Sequence, residues 1–209
     1  MLLPIIILII FRIWYFLLNF PKLEQQPVED IVKKCKTGDI ILFHAYDNIN
    51  PFFISSFWGH IGIVYRDAQY NPMLFEAVFI KNSNSSGIVT TDLKTRLEKY
   101  LGFVAYKPLN SPLDPNVIEG FNTLIEYAKQ NMYYNNKVFR NSVKKSMGES
   151  INCSINCGEL VFISLIKLGL IPETEFKKRL CHHLLYTAHI EKLQNNKYNK
   201  PIEVIINRF

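Results

Sequence analysis

Cysteine is scarce in this chain, with four in 209 residues. Cys35, Cys153, Cys157 and Cys181 are too few and too irregularly spaced for a disulfide scaffold. Free thiols in a reducing compartment are the simpler expectation. Glycine is sparse too, at nine residues, and no repeat or low-complexity tract interrupts the chain. Charge of one sign is nowhere concentrated: the net +6 is spread out, and Lys33-Lys34 and Lys177-Lys178-Arg179 are short runs that read as solvated faces. No nucleic-acid partner is therefore expected. What remains is enough chain for one domain with a proper core, plus a short extra segment.

That extra segment is Leu2 to Phe20, almost wholly apolar. About 20 helical residues span roughly the 30 Å of a bilayer's hydrocarbon core. No Lys or Arg precedes the run, and Leu17, Leu18 and Phe20 stand where a signal peptidase would need small residues. An uncleaved transmembrane signal anchor over 1–20 is the expectation, with the lipid bilayer as partner through residues 2–20. Burial of this helix against the globular domain or a partner is the alternative. Arg12 within it would cost on the order of 3 kcal/mol unless its stem snorkels to an interface marked by Trp14 and Tyr15. Lys22, Lys33, Lys34 and Lys36 follow the segment, which favours a single-pass protein with its domain on the cytosolic side. Residues 21–35 read as a linker and 36–209 as one domain.

Within the domain, Ile40 to Phe43, His60 to Arg66, Met73 to Phe79, Ile88 to Thr90 and Phe103 to Lys107 read as strands. Asp92 to Tyr100 is a helical piece. Asp114 to Gln130 has helical spacing, with Val117, Phe121, Leu124, Ile125 and Ala128 on one face. Met132 to Glu149 is irregular. Cys157 to Leu168 is helical and ends at Gly169. Leu184 to Leu193 reads as a last helix and Ile202 to Ile206 as a last strand. Strands followed mainly by helices indicate an α+β fold.

Cys157 opens a helix in Asn156-Cys157-Gly158-Glu159. There the positive end of the backbone dipoles favours thiolate over thiol, and first-turn N–H groups can receive an oxyanion. A buried cysteine that simply packs is the alternative. A cysteine nucleophile needs a base, usually His, and the base needs a group that orients it. Of five histidines, His60 follows Trp58-Gly59 at a strand mouth, held yet reachable. Glu76 interrupts the apolar strand Leu74 to Val78, where a carboxylate is costly to bury unless paired. A histidine on the adjacent strand would pair it; a solvent-facing Glu76 on an edge strand is the other reading.

The ordered set Gly38-Asp39-Ile40-Ile41-Leu42, Gly59-His60-Ile61-Gly62-Ile63-Val64, Phe75-Glu76-Ala77 and Asn156-Cys157-Gly158-Glu159-Leu160-Val161 resembles the circularly permuted NlpC-type papain-like hydrolases. This is the YiiX-like group, with poxvirus relatives and lecithin-retinol-acyltransferase-like allies. Gly87-Ile88-Val89 with Leu93, and Tyr133-Tyr134-Asn135 through Phe139, resemble further segments of the family, and the likeness spans roughly residues 36 to 170. His60 precedes Cys157, the order that permutation requires. The resemblance implies a small, strongly bent antiparallel sheet carrying His60 and Glu76, with the Cys157 helix packed across it. It implies Cys157 as nucleophile, His60 as general base and Glu76 as the residue orienting His60. The chemistry implied is attack on an amide or ester carbonyl, with an acyl-enzyme as intermediate and hydrolysis or transfer to follow. The backbone N–H of Cys157 is the one candidate oxyanion donor. No cofactor and no metal are expected. Asp39 reads as structural and His44 as an extra pocket residue. Nothing in Glu173 to Phe209 matches the family.

Two rivals stand beside this reading. One is a zinc module drawing on Cys153, Cys157, Cys181, His182 and His183, although C-x3-C and adjacent histidines fit structural zinc poorly. The other is a membrane-tethered structural or binding protein with the same fold. Cys153 also offers Cys157 a partner for a regulatory disulfide. An anchor suggests lipid or lipid-modified substrates, and Phe52, Phe53, Phe57 and Trp58 could line an apolar groove or serve as core.

Overall fold

A computed structural model describes residues 22–45, 58–78, 87–134, 154–172 and 197–206. The apolar runs of the domain lack polar alternation, the mark of strands covered on both faces. The chain runs β1 (Glu24–Pro27), α1 (Val28–Lys34), β2 (Ile40–Ala45), β3 (His60–Arg66), β4 (Pro72–Ala77), β5 (Ile88–Asp92), α2 (Leu93–Glu98) and β6 (Gly102–Lys107). It continues through α3 (Pro115–Asn131), β7 (Tyr133–Tyr134), β8 (Ser154–Ile155), α4 (Cys157–Lys167) and β9 (Ile202–Ile205). Among the described residues seven strands form one sheet in the order β1-β9-β6-β2-β3-β4-β5, and β7 with β8 form a two-stranded ribbon.

Side chains alternate between the two faces of each strand, and each face has its own core. Ile40 and Leu42 of β2, Ile61, Ile63 and Tyr65 of β3, and Phe75 and Ala77 of β4 pack with Phe121 and Ile125 of α3 and Leu160, Val161 and Leu165 of α4. Ile41, Phe43, Val64 and Leu74, on the opposite face, pack with Val28 and Ile31 of α1 and Leu93 and Leu97 of α2.

The Lys36–Asp39 turn ties these layers together. Gly38 takes φ +96°, a left-handed conformation that glycine enters without steric cost. The buried Asp39 carboxylate accepts from the Tyr106 hydroxyl at 2.6 Å, the Lys36 N–H at 2.7 Å and the Leu109 N–H at 2.7 Å. Tyr198, from the last part of the chain, donates its hydroxyl to the Gly38 carbonyl at 2.7 Å. Asp39 is structural, as its place in a Gly-Asp turn predicts.

Two parts of the expected fold need correction. The sheet is neither small nor wholly antiparallel: it has seven strands, and β1 pairs β9 in parallel. The expected N-terminal transmembrane helix is not retained, and with it goes single-pass membrane localisation. Among the described residues no helix is long and apolar enough to cross a membrane. The segment 1–20 to which that expectation applied lies outside the described residues. The stretch read as a linker, 21–35, carries β1 and α1 instead. The last strand appears as β9, while Leu184 to Leu193 lies outside the described residues.

Gly62 of β3 has no room for a side chain. A Cβ there would stand 2.9 Å from Cδ1 and 3.0 Å from Cγ of the buried Leu74. Gly62→Ala is expected to cost about 1–3 kcal/mol through overpacking, seen as a lower urea midpoint with an unchanged denaturant slope. An unchanged midpoint would mean that β3 and β4 can move apart freely.

Candidate active site

β2 and β3 pair from Ile40↔Ile63 to Phe43↔His60, but β3 and β4 pair only from Ile63↔Phe75 onward. Among the described residues His60, Ile61 and Gly62 have no pairing partner on β4, and that edge is left for another element. The Val64 N–H donates to the carbonyl of Asp39, the residue just before β2. Alternation along an antiparallel strand then turns the Ile61 N–H the other way, toward the opening. Cys157 enters this opening from the α4 layer, and its sulfur accepts from the Ile61 and Gly158 N–H groups.

A capping box fixes the position of Cys157. Asn156 Oδ1 accepts from the Glu159 N–H at 2.9 Å, and Glu159 Oε2 accepts from the Asn156 N–H at 3.1 Å. This reciprocal pair satisfies two donors at the helix start and holds the first turn rigid. The Asn-x-x-Glu spacing announces it in the sequence, a signal that the reading above overlooked.

His60 shares strand parity with Gly62 and Val64, and Glu76 with Leu74, so both belong to the α2 face of the sheet. Where β3 and β4 have parted, His60 nonetheless reaches Cys157 and shares a side-chain hydrogen bond with it. Its Nε2 lies 2.7 Å from Glu76 Oε2, which leaves Nδ1 as the nitrogen for the sulfur. The phenyl ring of Phe43, the cross-strand partner of His60, lies 5.4 Å from the imidazole. Glu76 is 1% exposed on β4, which lies between β3 and β5, so the edge-strand reading of this residue does not hold.

Sequence inspection missed Arg96. Its Nε donates to Glu76 Oε1 at 2.7 Å and its Nη2 to Oε2 at 3.1 Å. The clue was available: Leu93 and Leu97 face the core, and a residue three beyond Leu93 shares their face of a helix.

The electrostatics follow from these contacts. Burial alone would raise the Cys157 thiol; the His60 charge, its hydrogen bond and the two backbone N–H groups prevail and hold it below the usual thiol value. Burial alone would lower the His60 imidazole, but the Cys157 sulfur and the Glu76 carboxylate lift it to about 9. Burial would raise Glu76, yet hydrogen bonds and charge from His60 and Arg96 hold it below the carboxylate range. Cys35 is the contrast. Burial outweighs the nearby Arg66 and pushes its thiol up to about 11.

Other expected site residues fall elsewhere. His44 is 6% exposed, with its ring 6.1 Å from that of Phe103, and lies on the α4 face. Trp58 is a core residue rather than groove lining, at 2% exposed. Phe52, Phe53 and Phe57 lie outside the described residues, as do Cys153, Cys181, His182 and His183 of the zinc alternative. Among the described residues no group of three or more His, Cys, Asp or Glu side chains could hold a metal ion.

No family model matches the chain, and no curated protein matches it. Among solved structures it is similar in fold to the crystal structure of metalloprotein YiiX (DUF1105) from Escherichia coli O157:H7. Sequence identity is 15%, the match covers 81% of this chain and 88% of that one, and the TM-score is 0.48.

Proposed function

We infer that this chain is a thiol hydrolase or acyltransferase, cleaving an amide or ester bond through an acyl-enzyme on Cys157. One observation carries the reading. A helix-N-terminal thiol, held below its usual value, contacts an imidazole whose far nitrogen is held 2.7 Å from a buried carboxylate. Nucleophile, base and orienting group then stand in the order that such chemistry needs.

His60 takes the Cys157 proton and becomes imidazolium, stabilised by Glu76. The thiolate attacks the carbonyl carbon, and the C=O electron pair moves to oxygen. Of the first-turn donors of α4, Glu159 N–H goes to the cap, Leu160 N–H to the Asn156 carbonyl and Gly158 N–H to the sulfur. Of these first-turn donors, that leaves the Cys157 N–H for the oxyanion. Collapse of the tetrahedral intermediate breaks the carbonyl bond to the leaving amine or alcohol, which takes the His60 proton. Water, or a second acceptor, next gives His60 a proton and attacks the thioester. The acyl product departs and the thiolate returns.

The pH behaviour follows with its signs. Thiolate and imidazolium coexist above the lowered Cys157 value and below about 9, where His60 loses its proton. Turnover of small fluorogenic esters and amides by the full-length protein is expected to rise through an acid limb below the ordinary thiol value, then fall near pH 9. Cys157→Ala is expected to abolish it. Alkylation followed residue by residue with mass spectrometry should show Cys157 reacting at pH 6 while Cys35 stays unmodified. If Cys157 reacts no faster than Cys35, the thiol reading is wrong and the cysteine is a packing residue.

A further inference from the structure

The base of the site is held by a residue outside the Cys157, His60 and Glu76 set. We propose that Arg96 is a positioning residue for this chemistry: it locks the Glu76 carboxylate in the plane that aims His60, and its charge sets the pH range in which Cys157 is ionised. This rests on the thiol reading above and extends it.

The geometry leaves Glu76 no rotational freedom. Oε1 accepts from Arg96 Nε at 2.7 Å, while Oε2 is shared by Arg96 Nη2 at 3.1 Å and His60 Nε2 at 2.7 Å. A single hydrogen bond to His60 would let the carboxylate turn about its terminal bond; the two-pronged guanidinium contact does not. Arg96 is itself held from the side. Its guanidinium carbon lies 4.7 Å from the centroid of the Phe43 ring and 5.3 Å from that of Tyr100. Phe43 touches His60 from the same ring, so one aromatic residue spaces the base and the clamp. Lysine has neither the fork nor the flat face needed to reproduce these contacts.

The charged and titratable groups facing one another here are His60 from β3, Glu76 from β4, Arg96 from α2 and Cys157 from α4. Arg96 offsets part of the Glu76 charge as felt by the thiol–imidazole pair. Removing a cation makes every nearby proton harder to lose. Arg96→Gln must therefore raise both the Cys157 and the His60 titrations, whereas loss of packing alone would lower rates without moving either.

The test is the second-order rate of Cys157 alkylation by iodoacetamide in the full-length protein between pH 4 and 10, with circular dichroism as the check on folding. For Arg96→Gln, both inflections are expected to move to higher pH by about half a unit to one unit. For Arg96→Lys, which keeps the charge, they should stay where the unmodified protein has them while the turnover rate drops. Unmoved inflections in Arg96→Gln would overturn the inference and leave the thiol reading standing. Absence of any low-pH inflection in the unmodified protein would remove the thiol reading itself. Should Arg96→Gln fail to fold, Glu76→Gln compared with Glu76→Gln/Arg96→Gln gives the same information without an unpaired carboxylate. The double variant should titrate higher than the single one, and equal titrations would again overturn the inference.

Discussion

Replacing His60 with alanine is expected to slow alkylation of Cys157 at pH 6 by about tenfold or more. In the unmodified site the thiol is held down chiefly by the His60 charge and hydrogen bond, acting against burial. Without them, burial is opposed only by the Ile61 and Gly158 N–H groups, and the thiol rises back toward its ordinary value near 9. At pH 6 a thiol titrating near 9 is ionised in only about one molecule in a thousand. A more basic thiolate is intrinsically more nucleophilic, with a Brønsted slope of about 0.4–0.5, which offsets part of that loss. The rate should recover at pH 10, where both proteins carry thiolate. That recovery separates loss of the base from loss of structure. A His60→Ala protein that reacts at pH 6 as fast as its parent would show that the backbone donors alone create the thiolate.

The second large effect concerns folding. Asp39→Ala is expected to destabilise the protein by about 3–5 kcal/mol, because it strands buried hydrogen-bond donors. The Tyr106 hydroxyl and the Leu109 N–H lie in the interior and use Asp39 as acceptor, as does the Lys36 N–H. Burial holds this carboxyl above the usual range even against those donors, so the environment values its acceptor capacity more than its charge. Asp39→Asn keeps one carbonyl acceptor but turns an NH2 group toward a donor, and should therefore fall between the parent and the alanine variant. For a chain of this size the alanine variant's melting temperature should drop by about 10 °C. Calorimetry giving a drop of a degree or two would mean that water or a rearranged turn satisfies all three donors.

Much of the framework was legible because local chemistry dictates it. Ile40 to Phe43 and His60 to Arg66 are strands whichever way the chain folds, being β-branched and apolar with turn residues beside them. The helix after Asn156 is announced by apolar residues on nearly every side, as expected of a helix covered by both the sheet and α3. The strand and helix over Glu24 to Lys34 were not legible. EQQP has no strand-forming bias of its own; it is extended because β9 is there to pair with it, and the Gln25 and Glu203 side chains bond across 178 residues of sequence. Glu76 was ambiguous for the same reason, since nothing beside it in sequence says whether it pairs or faces water.

The sequence by itself determined which groups are available: a thiol at a helix start, a histidine at a strand mouth, a carboxylate in an apolar strand, and their order along the chain. Only the tertiary structure decided that β3 and β4 part at Gly62, letting a cysteine from one layer meet a histidine from the other, and that Arg96 stands behind Glu76. The physical reason is range. Helix and strand preference is settled within a few residues, whereas a thiol's ionisation depends on charges and donors a few ångströms away in space, and those are set by how α2 and α4 pack on opposite faces of the sheet.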